Sequence, residues 1–212
     1  MAFLQKITPC LWFDNQAEEA ARFYVSHFKN SAIGSITRYG KEGFEVHGRR
    51  AGSVMTVSFR LEGQEFTALN GGPRFQFTEA ISLAVSCETQ AEVDHYWDGL
   101  REGGNERAQQ CGWLKDKYGV SWQIVPAALF EMIADADSER SGRVMRAMLQ
   151  MKRLDLAALR TPPASARHRP QAGDGLPRHY CTPSRAGSEG VRQTSNPPLP
   201  LSVRQNCCCD AA

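Results

Sequence analysis

The sequence predicts a mixed α+β fold built from two tandem β-α-β-β-β repeats. Three observations point there. The run from Ile7 through Leu11 to Gln16-Ala17-Glu18 joins an apolar strand pattern to an amphipathic helix start. The run from Ile81 through Val85 to Gln90-Ala91-Glu92 does the same 74 positions later, and Phe23 aligns with Trp97 at that offset. Composition then breaks near Arg160, which marks where the folded part stops. An internal repeat of this size indicates one supersecondary unit that buries a face against its own copy. Such pairs build a cleft between the copies, where function is expected.

Residues 6–14 read as the first strand. Thr8, Cys10 and Trp12 alternate onto one face and Ile7, Leu11 and Phe13 onto the other. Asp14 or Asn15 is placed to cap the next helix by accepting backbone N–H bonds, with Glu18 and Glu19 in its first turn. That helix runs to about Phe28 on a stripe of Ala20, Phe23, Tyr24 and Phe28. Residues 32–39 are the next strand, and the Gly-rich stretch 40–52 is a mobile loop. Residues 53–61 and 64–70 form a hairpin around Glu62-Gly63. Gly71-Gly72-Pro73 closes the first repeat.

The second repeat opens with a strand over 80–87, and Thr89 caps a helix to about Glu102 that Gly103-Gly104 stops. Strands over 106–114 and 120–125 flank a tight turn at Asp116-Lys117-Tyr118-Gly119. Pro126 opens a helical region, clearest over 138–151, where Val144, Met148 and Met151 form one stripe. Met at helical spacing points to core or dimer packing. The expected organisation is a domain over 1–160, with repeats at about 6–73 and 79–126 and helices over 127–159.

Residues 161–212 hold eight of the eleven prolines, one aromatic residue and no lysine. They cannot bury enough apolar surface to offset the entropy of ordering, so a disordered tail is expected. Its abrupt onset after a regular helix would also suit a slip of the reading frame. Cys207-Cys208-Cys209 lacks the neighbouring His or second Cys pair of a metal site.

The formal net charge of +2 gives no electrostatic case for nucleic acid or an acidic membrane surface. No window approaches the ~20 apolar residues of a membrane span, and the first residues lack a signal-peptide pattern. A cytoplasmic protein is expected. Cys10, Cys87 and Cys111 lie far apart and read as free thiols.

Three runs carry a resemblance. Residues 7–14 (ITPCLWFD), 68–73 (ALNGGP) and 111–123 (CGWLKDKYGVSWQ) resemble the PhnB-like subgroup of the vicinal oxygen chelate superfamily, the glyoxalase and bleomycin-resistance type of fold. That subgroup often carries the label 3-demethylubiquinone-9 3-methyltransferase. The resemblance spans about residues 7–159 and implies that each repeat curls its sheet into half a barrel. In metal-dependent members the ligands are His, Glu or Gln on the first and last strands of each unit. Carried over by strand parity, those positions hold Lys6 and Thr8, Thr67, Ala80 and Ser82, and Gln123. Only Gln123 is a plausible ligand, so no bound metal and no cofactor is expected.

The same face is otherwise small and polar: Thr8, Cys10, Thr56, Ser58, Thr67, Ser82, Ser121 and Gln123, with Trp12 beside them. An aromatic wall with a few directional polar groups describes a small-molecule pocket, and these nine are the expected ligand-binding residues. A nucleotide-type Gly-rich turn between strand and helix is missing, since neither Gly71-Gly72 nor Gly103-Gly104 opens a helix; methyl transfer has no support in the residues. His27 and His95 sit on helices and His47 in the loop, so acid–base catalysis is thinly supported. Cys10 and Cys111 have no base nearby in sequence. The reading is a metal-free binding protein holding a small molecule between the two units. The alternatives are an enzyme on the same fold, as lyase, isomerase, dioxygenase or methyltransferase, and a dimerisation module. A homodimer is expected; whether the half-barrels close within one chain or between two is left open.

Overall fold

The first strand is shorter than its alternation suggests. β1 (Cys10–Phe13) starts one residue after Pro9, which has no amide to give to a ladder. In the computed structural model, which describes residues 5–162, all described residues fall within one compact unit, Met1–His168. The readings for most of the tail, Cys207–Cys209 included, lie outside the described residues.

β1 leads into α1 (Ala17–His27), whose N-terminus is not capped by Asp14 or Asn15. The acceptor is Asn70, far along the chain: its Oδ1 takes the Ala17 N–H at 2.8 Å. Asp14 is engaged by Arg49 instead, at 2.7 Å through its carbonyl and 3.0 Å through its carboxylate. β2 (Ala32–Arg38) follows. The loop after it carries a single helical turn, α2 (Phe44–His47), bracketed by left-handed Gly43 and Gly48. β3 (Val54–Leu61) and β4 (Gln64–Asn70) are joined at Glu62 and Gly63, both at positive φ, the backbone of a two-residue hairpin turn. The first sheet has order β1-β4-β3-β2, with β1 parallel to β4 and the rest antiparallel.

The second repeat begins with β5 (Leu83–Cys87) and α3 (Gln90–Leu100), capped as expected by Thr89, which accepts from the Glu92 amide at 3.2 Å. The expected strand over 106–114 is largely replaced. Glu106–Ala108 form a 3-10 turn, and β6 spans only Trp113–Lys115. Cys111 and Gly112 both have positive φ, which an extended strand cannot continue through. Their amides donate to the carbonyls of Met151 and Lys152 instead. β7 (Ser121–Pro126) completes a sheet of order β5-β7-β6, again with its outer pair parallel. The register makes the repeat explicit. Cys10 stands opposite Thr67, and 74 positions on, Ala84 stands opposite Gln123. The second unit lacks a counterpart of β2.

Leu11, Phe13, Val57, Phe59 and Ala68 of the first sheet share one buried cluster with Leu114, Trp122 and Ile124 of the second. Ala20, Ala21 and Tyr24 of α1 and Val93, Trp97 and Leu100 of α3 lie between them. Alanines on α1 let the helix approach the sheet closely. The Tyr24 ring lies 6.2 Å from Phe59 and 5.3 Å from Trp122, touching the inner faces of both sheets. Phe28 stacks on Tyr96 at 4.8 Å and Trp122 at 5.6 Å. Each large apolar side chain buried here contributes about 1.5–3 kcal/mol. The repeats therefore turn their helical sides toward each other, and alternation sends the other face of each sheet outward.

Helices α4 (Ala128–Ile133), α5 (Ser138–Leu149) and α6 (Leu156–Arg160) build a second cluster of Val125, Leu129, Val144, Leu154 and Leu159. Met148 and Met151 pack against it. The Met stripe is thus engaged within its own chain and gives no argument for a dimer. Among the described residues no helix is long and apolar enough to cross a membrane.

Candidate functional site

The candidate residues gather on two faces rather than around one cleft. On the first sheet, Cys10, Thr67 and Ser58 stand side by side across three strands, and Trp12, Leu69 and Thr56 form the next row. All are exposed or half-buried, on the face turned away from the core. Thr8 is exposed just before the strand. The hydroxyls along β3 are already engaged: Thr56 with Thr37 at 2.6 Å, and Ser58 with the Ser35 amide at 2.7 Å. Trp12 donates from its indole N–H to the Gly72 carbonyl at 2.8 Å and packs edge-on to Phe75 at 5.0 Å.

On the second sheet, Gln123 lies between Ala84 and Trp113, and Ser121 lies opposite Lys115. The Gln123 amide N–H donates to Ser82 Oγ at 2.7 Å. Ser121 is buried, and its hydroxyl has no partner among the described residues. Lys115 pairs with Glu79 of the linker between repeats.

A separate groove of ≈530 Å³ lies at the start of α1, lined by charged and polar groups including Glu18, Arg22, Arg49 and Asn70. None of the nine candidates lines it.

The positions expected from the resemblance to hold a metal carry Thr67 and Gln123 on strands, Ser82 just before β5, and Lys6, Thr8 and Ala80 at the approaches. Neutral hydroxyls, a methyl, an ammonium and one amide are not a divalent donor set. Gln123 directs its N–H at Ser82, and no group of three His, Cys, Asp or Glu able to hold a metal occurs among the described residues. These residues do not fit a divalent ion.

The histidines and Asp116 are engaged by neighbours. His27 and His95 face each other across the α1–α3 seam at 6.4 Å, where His95 donates to the His27 carbonyl at 2.9 Å. His27 is half-buried there, while His95 stays exposed as its helical position suggests. His47 accepts the Arg49 amide at 2.9 Å and leans on Tyr39 at 4.5 Å. Burial pushes the Cys87 thiol up to about 12 and raises Cys10, which disfavours the thiolate at both. Asp116 reads in sequence as a turn residue, and its backbone does close that turn. Its carboxylate is 3% exposed and accepts from Tyr24, Trp122, and the Tyr118 and Val120 amides at 2.8–3.0 Å. Burial raises this carboxyl while the four donors pull it back down.

Paired repeats of a sheet backed by a helix, with the sheets' other faces free, define the vicinal oxygen chelate fold. Residues 5–125 match the model of the family described as 3-demethylubiquinone-9 3-methyltransferase, and the chain belongs to that PhnB-like family. Among solved structures it resembles a PhnB protein from Bacillus cereus, at 41% identity and a TM-score of 0.50, covering 58% of this chain and 100% of that one. A protein from Staphylococcus aureus is 30% identical over 58% of this chain and 97% of its own, with a TM-score of 0.26. A "possible Glyoxalase" from Bacillus cereus is 14% identical over 56% and 96%, with a TM-score of 0.35. At those TM-scores neither of the last two carries an argument about this chain. No curated protein is significantly similar.

Proposed function

We propose that the chain is a cytoplasmic, metal-free small-molecule-binding protein whose half-barrels close against a second copy, with residues 1–160 as the working domain. The observation that carries this is the outward direction of both free sheet faces, set by the shared helical core. A half-barrel that looks away from its sister needs another chain to enclose a ligand. Apolar side chains left uncovered agree: Ile7 is 85% exposed, Val46 87% and Ile81 80%, with Phe44, Phe75 and Phe130 also exposed. A closed symmetric pair would bring one chain's Trp12–Thr67 face over its partner's Gln123–Ser82 face.

Methyl transfer comes from the family description alone. Gly71-Gly72 runs into Pro73, and Gly103-Gly104 precedes a 3-10 turn, so neither glycine pair starts an α-helix as a dinucleotide-type loop does.

Sedimentation and thermal shift test the reading together. A dimer at micromolar concentration, stabilised by a small molecule whose effect shrinks in W12A or Q123A, supports it. A clean monomer rejects the shared barrel. Unchanged affinity in both variants rejects the face assignment. A dimer that no compound stabilises points to a dimerisation module.

A further inference from the structure

The free face of the second sheet carries an assembled group of complementary side chains. Alternation on β6 buries Leu114 in the core, which places Trp113 and Lys115 on the outward face. The register sets Lys115 directly opposite Ser121, and Trp113 opposite Gln123. One face therefore holds an aromatic ring, a cation, an amide and a hydroxyl. The hydroxyl is the unusual member. Ser121 is 2% exposed, and its Oγ has no hydrogen-bond partner among the described residues. A buried polar atom left unpaired costs about 1–3 kcal/mol unless something else supplies the bond. Beside it, the half-buried Lys115 ammonium is met by the carboxylate of Glu79, which reaches in from the linker between repeats. Glu79 itself is half exposed, and its hydrogen bond from Lys115 holds its carboxyl below the usual range. It is thus a carboxylate presented to this face on a segment outside the sheet.

We propose that this face binds a small aromatic carboxylate, with Lys115 holding its oxygens and Trp113 its ring, that Glu79 occupies the carboxylate's place in the free protein, and that its departure opens the buried Ser121 hydroxyl to the ligand. The inference rests on the small-molecule reading above and adds the ligand's charge and a built-in competitor. Lys115 and Ser121 supply a charge-assisted and a neutral donor to one carboxylate. Gln123 and Ser82, already joined, form the polar edge of the ring position. The linker carboxylate lowers the cost of leaving Lys115 half-buried without ligand, and leaves when a ligand brings its own charge.

The test compares benzoate with benzamide, a neutral analogue of the same shape, by titration calorimetry on the full chain. The wild-type protein should prefer benzoate by about tenfold. E79Q should tighten benzoate by a similar factor, and benzamide by no more than that. K115Q should abolish the preference. S121A should weaken benzoate while the unliganded midpoint holds or rises, which a purely structural serine would not do. Equal affinity for the two compounds, or an E79Q variant that binds benzoate no better, overturns the inference. If the compounds bind equally and both are lost in Q123A, the pocket stands and only its charge preference fails. Binding of neither compound at millimolar concentration also overturns it, while the thermal-shift screen judges the pocket separately.

Discussion

Tyr24 donates its phenolic hydrogen bond to Asp116 at 2.8 Å, across 92 positions of sequence and across the boundary between the two repeats. Trp122 donates to the same carboxylate oxygen at 2.8 Å. One buried carboxylate thus ties α1 of the first repeat to the hairpin and last strand of the second.

Removing the phenol should loosen that tie without emptying it. Y24F is expected to cost about 1–2 kcal/mol. D116A strands a tyrosine, an indole and two amides in the core, and should cost about 3–5 kcal/mol. Urea unfolding checks both. An unchanged midpoint in D116A would show that the hub contributes nothing to stability.

The histidine seam makes stability depend on pH. Burial, then the facing His95, lowers the His27 pKa from 6.5, with Lys117 adding to the lowering and Glu102 opposing it. A histidine that is harder to protonate in the fold than in the unfolded chain stabilises above its unfolded pKa. That contribution is lost as pH falls from about 6.5 through the lower folded value. Thermal midpoints of wild type and H27Q should therefore converge on acidification within this window. Parallel curves would remove His27 from the account.

Asn70 is expected to matter out of proportion to its size. Its Oδ1 caps α1, and its Nδ2 donates to the Val54 carbonyl at 3.1 Å. N70A should lose about 1–3 kcal/mol by denaturant unfolding. N70D keeps the acceptor and loses the donor, so it should fall between wild type and N70A.

Gly71 lies against the Trp12 indole, where an added Cβ would meet ring carbons at 2.1–2.5 Å. G71A must push the ring aside, at a cost of about 1–3 kcal/mol. Tryptophan emission should shift at the same time. A variant with native stability and emission would mean the indole moves freely.

Elemental analysis of the full chain, purified without chelator or affinity metal, should find far less than one equivalent of any transition metal. The donor types at the expected strand positions are the reason. A stoichiometric metal would require ligands other than Thr67, Ser82 and Gln123.

Legibility followed sequence distance. Thr89 capping α3 and the Glu62-Gly63 turn were readable because donor, acceptor and turn lie within a few residues. Alternation in β1 separated Leu11 and Phe13, which are buried, from Cys10 and Trp12, which are not. The Asn70 cap was not readable, since its partner is 53 positions away. Asp116 looked like an ordinary turn residue for the same reason: its turn is local, while Tyr24 is remote. The late start of β6 came from Cys111 and Gly112 turning toward the C-terminal segment, a tertiary preference that overrode a plausible strand pattern. Parity assigned each side chain a face but said nothing of how two sheets face one another. That relation decides whether the candidate residues form one site or two.

The shared core has a consequence for the halves as separate molecules. Each repeat has given its apolar helix face to the other, so neither half, expressed alone, could hide Tyr24 or Trp122 from water. Nicking the chain at Arg74, in the exposed stretch between the repeats, should yield two fragments that are insoluble apart and reassociate when mixed. The duplication that made this chain would then have joined two subunits of an older assembly.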